Sequence, residues 1–121
     1  MADEITLTIP RDRDFHRVAH LVLGGLAVRL DLTIENLEDL ELALDAILDR
    51  SEDSGEITVQ MSLREGALET SVGPLTAKLL DEIEQEQNGA LSLRRVLDST
   101  VDDVHVDGQF VHLTKKVAAR G

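Results

Sequence analysis

The sequence of 121 residues has no cysteine, no tryptophan and no tyrosine, and only two phenylalanines and two prolines. Without thiols there is no disulfide framework, no thiolate metal site and no cysteine nucleophile, a composition that suits a reducing cytosol. Basic residues are scarce too: 12 Lys+Arg stand against 24 Asp+Glu, a formal charge of -12. Nucleic-acid binders neutralise phosphates with Lys and Arg and often stack bases on aromatic rings, so both shortages argue against DNA or RNA as a direct partner. Long apolar runs are also missing. The longest, Leu21 to Val28, includes two glycines and falls far short of the roughly 18 residues that span a bilayer. The opening Met1-Ala2-Asp3-Glu4 lacks the basic-then-apolar order of a signal peptide. These absences predict a cytoplasmic domain without membrane contact. With 42% hydrophobic residues, residues 1–121 are expected to form one domain around one core.

The charge is unevenly placed. Residues 1–30 are neutral, whereas Asp31 to Glu56 carry ten acids and one base, Arg50. Such a run is a solvated helix face, a partner surface or a metal site.

Ile5-Thr6-Leu7-Thr8-Ile9 alternates apolar and hydroxyl residues as a half-buried strand does, and Pro10 closes it. Asp12 or Asp14 can then cap a helix with Phe15, Val18, Val22, Leu26 and Leu30 along one stripe; Gly24-Gly25 within it is read as a close-packing point. Thr33 is the expected N-cap of a second helix, which buries Ile34, Leu37, Leu40, Leu44, Ile47 and Leu48. At 100° per residue, Glu38, Glu41, Asp45 and Asp49 line one flank of that helix. Residues 57–63 and 68–72 alternate around Glu65-Gly66 and predict a hairpin. A third helical region begins near Leu75, with Leu79, Leu80 and Ile83 as its apolar side, and the polar stretch 82–89 is read as a helix end or loop. Leu93, Val96, Leu97, Thr100, Val101 and Val104 restore helical spacing, and residues 104–117 form a second hairpin about Asp107-Gly108. The order β-α-α-β-β-α(α)-β-β predicts a two-layer α/β (α+β) sandwich: a mixed, mostly antiparallel sheet with helices on one face.

His16 and His20, four apart on the first helix, are read as surface residues, with no third zinc ligand beside them in sequence. His105 and His112 lie on the two arms of the last hairpin, where cross-strand proximity needs no function to explain it. There is no Gly-x-Ser-x-Gly elbow and no P-loop, and no serine sits in a setting that marks a nucleophile.

The element order, the opening Ile5 to Pro10, the segment Ile34 to Asp45, and the close Val101 to Val106 with Val111-His112-Leu113-Thr114-Lys115 resemble the anti-sigma serine kinases of bacterial partner-switching systems. That resemblance covers nearly the whole chain and implies the histidine-kinase-like ATPase (Bergerat-type) fold. It also implies a cytoplasmic regulator, commonly a homodimer. Such a regulator holds a sigma factor off RNA polymerase and phosphorylates a STAS-type antagonist with ATP and magnesium.

The family's second helix carries a Glu and, four residues on, an Asn, which serve the attacking group and the magnesium ion. In register, those positions are Ala46 and Arg50 here; a one-residue slip offers Asp45 and Asp49, at the same spacing, as oxygen ligands. Where the family has Asp-x-Gly-x-Gly this chain has Thr70-Ser71-Val72-Gly73-Pro74-Leu75, and where a Gly-x-Gly opens a phosphate-binding helix only Gly89 stands. The nucleotide-site candidates are thus Asp45, Asp49, Gly73 and Gly89. The leading expectation is a binding module with a degenerate nucleotide pocket, no catalytic residues carried over and no cofactor, which presents Glu38, Glu41, Asp45 and Asp49 to a sigma factor or STAS partner. Its competitors are an ATP- and magnesium-dependent kinase that tolerates the altered motifs, and a subunit that pairs with an intact paralogue.

Overall fold

The computed structural model describes residues 4–51, 55–85 and 92–117. Five strands and four helices follow the expected order: β1 (Glu4–Pro10), a 3-10 turn at Arg13–Phe15, α1 (His16–Leu30), α2 (Ile34–Leu48), β2 (Glu56–Arg64), β3 (Ala67–Gly73), α3 (Ala77–Glu84), α4 (Leu93–Thr100), β4 (Asp103–Asp107) and β5 (Phe110–Lys116). The strands lie side by side as β1-β2-β3-β5-β4, and every adjacent pair is antiparallel, so the expected mixed sheet is antiparallel throughout.

The period-2 alternation decides which side the helices cover. Ile57, Val59 and Met61 of β2, Leu68 and Val72 of β3, Val104 of β4, and Val111 and Leu113 of β5 all turn inward and are buried. The helices supply Ala19, Leu23, Leu26, Leu40, Leu44, Ile47, Leu79, Ile83, Leu93 and Leu97 to the same core. On the other face stand polar residues in rows fixed by the register. One row runs Thr6, Gln60, Ser71, His112, His105 and the next Glu4, Ser62, Glu69, Thr114, Asp103.

Local signals explain most boundaries. Thr33 Oγ1 accepts from Asn36 N at 3.1 Å and starts α2; Thr76 and Ser92 cap α3 and α4 in the same way. The first hairpin turns through Glu65 and Gly66, both at positive φ (50° and 78°), as the tight two-residue turn requires. Asp12 caps the 3-10 turn rather than α1, accepting from Asp14 N at 3.0 Å. Lys115 lies on the inward register of β5, and its Nζ donates to Asp39 Oδ2 and to Thr100 O, both at 2.9 Å, tying the sheet to α2 and α4.

Three expectations needed correction. The buried stripe of α1 runs through Ala19, Leu23, Leu26 and Ala27, so Phe15 is largely exposed and Val18, Val22 and Leu30 only border the core. Ile34 is exposed because it opens α2 before the helix reaches the core. Gly24 and Gly25 are not packing points, since a Cβ at either would find nothing within 4 Å. Gly73 is the glycine that close approach demands: a Cβ there would sit 2.8 Å from Gln109 O and from the Phe110 ring. It also precedes Pro74 through a cis peptide bond.

These contacts set stability predictions for urea unfolding. Gly24→Ala and Gly25→Ala should each stabilise by about 0.5–1 kcal/mol, and Gly73→Ala should destabilise by about 1–3 kcal/mol. Thr70 Oγ1 is buried without a partner, beside Leu23, Leu40, Leu44, Met61 and Leu113 and a gap of about 10 Å³. Thr70→Val should therefore raise stability by about 1 kcal/mol, because it removes an unpaired hydroxyl at nearly constant volume.

Candidate functional site

Two sides of α2 matter, and they face different neighbours. Glu41, Asp45 and Asp49 turn toward α1, which runs antiparallel beside α2 after a three-residue connection. His20 Nε2 lies 2.6 Å from Asp45 Oδ1 and His20 Nδ1 3.6 Å from Glu41 Oε2. His16 Nδ1 lies 3.5 Å from Asp49 Oδ1. The reading of both histidines as surface residues fails for His16, whose side chain is 12% exposed and whose Nε2 is buried without a partner. Of the four acids on the flank, Glu38 alone is an exposed side chain for which no α1 contact is recorded.

The outer surface of the helical layer carries apolar residues as well. Leu21 (72% exposed) and Val28 (83%) stand on α1, with Ile34 and Leu42 exposed on α2. The sequence reading assigned Leu21 and Val28 to no face, using the run that they bound only to exclude a membrane span. The seven-residue spacing of Leu21 and Val28, on the face opposite Leu23 and Ala27, was the available signal.

Ala46 stands in the last turn of α2 and Arg50 two residues beyond its end. Ala46 is buried; Arg50 reaches α3, with Nε 3.7 Å from Glu82 Oε1 and Nη1 donating to Ala46 O at 3.1 Å. Arg50, Thr76, Lys78, Leu79 and Glu82 line a cavity of about 370 Å³ at this corner. From the opposite side, Arg94 of α4 donates through Nη1 to Ile83 O at 3.0 Å while its Nε holds Asp98 at 2.9 Å. Side chains from both neighbouring helices thus hold α3. Below it, Leu75 is buried and donates its N–H to Gln109 O at 2.8 Å, and Pro74 O accepts from Arg11.

The sequence candidates within the described residues have different surroundings. Asp45 and Asp49 face the histidines of α1, Gly73 sits in the sheet against Phe110, and Gly89 lies outside the described residues. A magnesium-bound nucleotide needs oxygen ligands for a hard cation. Of the described residues that line this cavity, Glu82 is the one carboxylate, and it is paired with Arg50. Arg50 and Ala46 stand at the positions where the resembling family has its Asn and Glu. No group of three or more His, Asp or Glu placed to hold a metal ion occurs among the described residues, and no helix there is long and apolar enough to cross a membrane.

No protein-family model matches the chain. It is similar to the serine-protein kinase RsbW of Listeria monocytogenes, 35% identical over 79 residues, which is 60% of this chain and 50% of that protein. The chain thus matches about half the length of these curated relatives. Longer matches reach the serine-protein kinases RsbW of Oceanobacillus iheyensis (24% identical, 89% of this chain and 81% of that protein) and Bacillus velezensis (26%, 93% and 85%). With a five-stranded antiparallel sheet covered on one face by four helices, these likenesses give the chain the histidine-kinase-like ATPase fold and bear out its resemblance to the anti-sigma serine kinases.

Proposed function

We propose that this chain is an anti-sigma-factor-like regulator of a partner-switching system that works by protein–protein binding, with a nucleotide pocket too altered to serve as a kinase site. The observation that carries the reading is the Arg50–Glu82 pair at the α2–α3 corner, where the resembling family keeps its magnesium and catalytic residues. The partners are a sigma factor and a STAS-type antagonist, and the working unit is a homodimer in the cytoplasm. The docking face is the outer side of the α1–α2 hairpin. There Glu38, Glu41, Asp45 and Asp49 offer negative charge beside the exposed apolar Leu21, Val28 and Leu42. That combination suits a partner that is basic around an apolar strip. Charge at the rim speeds encounter, and desolvated apolar side chains slow release.

A second reading, an active serine kinase, is favoured by the names of the proteins this chain resembles. Isothermal titration with Mg-ADP separates the two. The binding-module reading expects no saturable heat, and micromolar binding would establish the kinase reading instead.

The acidic edge has its own test. Glu38→Lys should lower affinity for the partner several-fold and flatten its dependence on salt, with the melting temperature unchanged, because an exposed rim charge acts mainly on association. Binding that ignores both salt and this substitution would remove the acidic edge from the interface.

A further inference from the structure

The face of the sheet that no described helix covers holds a feature unrelated to the docking face or the α2–α3 corner. His105 on β4 and His112 on β5 are direct cross-strand partners. Their rings are stacked, with centroids 4.9 Å apart and planes 9° from parallel. They stand at one end of a shallow trough of about 320 Å³ whose other walls include Glu69, Ser71, Gln60 and Thr114. The trough follows from the register, since it lies between the two outward rows that cross the sheet. His105 Nδ1 also lies 3.4 Å from Asp103 Oδ2, two residues back on the same strand.

We infer that His105 and His112 form a two-imidazole site for a divalent late first-row transition metal ion such as Zn²⁺. Three physical points lead there. Neutral imidazole is a preferred ligand for these ions, and two imidazoles already held on adjacent strands lose little further freedom on chelating one. Asp103 lies on the Nδ1 side of His105, the usual arrangement in which a carboxylate orients a ligating histidine; Nε2 is left for the metal. Both side chains stand on the open face, His105 exposed and His112 half-buried, and ring rotation would bring their lone pairs together. Water completes the coordination shell. Bound there, the ion pins the terminal β4–β5 hairpin, and because it binds the folded chain it stabilises the fold.

Titration calorimetry and thermal melting with Zn²⁺ alone test the site. One equivalent should bind and raise the melting temperature, and His105→Ala or His112→Ala should each weaken binding by about tenfold or more. Both positions lie on the open face, so circular dichroism of the apo variants should match the parent. His20→Ala should leave Zn²⁺ binding intact, which separates this site from the α1–α2 histidines. The inference is overturned if Zn²⁺ does not bind, if the His105→Ala/His112→Ala double variant binds it as the parent does, or if His20→Ala alone abolishes binding. None of these outcomes bears on nucleotide or partner binding, so the site stands or falls apart from the regulatory function proposed above.

Discussion

Burial of only one face of a five-stranded sheet is the constraint on which the remaining features depend. All four helices cross one side, so the alternation of each strand divides the chain into an apolar half and a polar half. Inward, Ile57, Val59, Met61, Leu68, Val72, Val111 and Leu113 meet the helices and provide most of the stabilisation. Outward, the same strands must carry side chains that tolerate water, which is why rows of Thr, Ser, Gln, His and acid residues cross the open face. Lys115 is the exception that shows the rule. Its register turns it inward, and it is accommodated because Asp39 and Thr100 O satisfy its ammonium group.

The helical layer then offers two surfaces with different chemistry, both set by α2. One side of that helix engages the histidines of α1 and presents the remaining acids to solvent. The other, about 100° around the helix, sends Arg50 to Glu82. Arg50 and Arg94 tie α3 through Glu82 and the Ile83 carbonyl. Asp39, Glu41, Asp45 and Asp49 each have a basic or histidine neighbour, and Glu38 is left as a free probe of the docking face.

Much of the architecture was legible in the residues. Period-2 alternation located β1, β2 and β3, Thr33 marked the start of α2, and Glu65-Gly66 marked the first turn, because each of these signals is local and acts within a few residues. The apolar run Leu21 to Val28 was not legible in the same way. Composition says it is hydrophobic, but the rotation of α1 about its axis decides that Leu23 is buried while Leu21 and Val28 are exposed. Gly24 and Gly25 were misread for the same reason, since whether a glycine faces a neighbour or open space depends on the packing of another element.

By itself the sequence determined the element order, the two-layer class, the concentration of acid between Asp31 and Glu56, and the departures at Ala46, Arg50 and Gly73-Pro74 from the resembling family's motifs. These follow from residue type, spacing and period alone. Only the tertiary structure decided that Asp45 and Asp49 turn toward His20 and His16, that Arg50 meets Glu82, and that His105 stacks on His112. Each of these pairs joins side chains on separate elements. Helix rotation and strand register, which are set when the shared core is packed, are what bring them together.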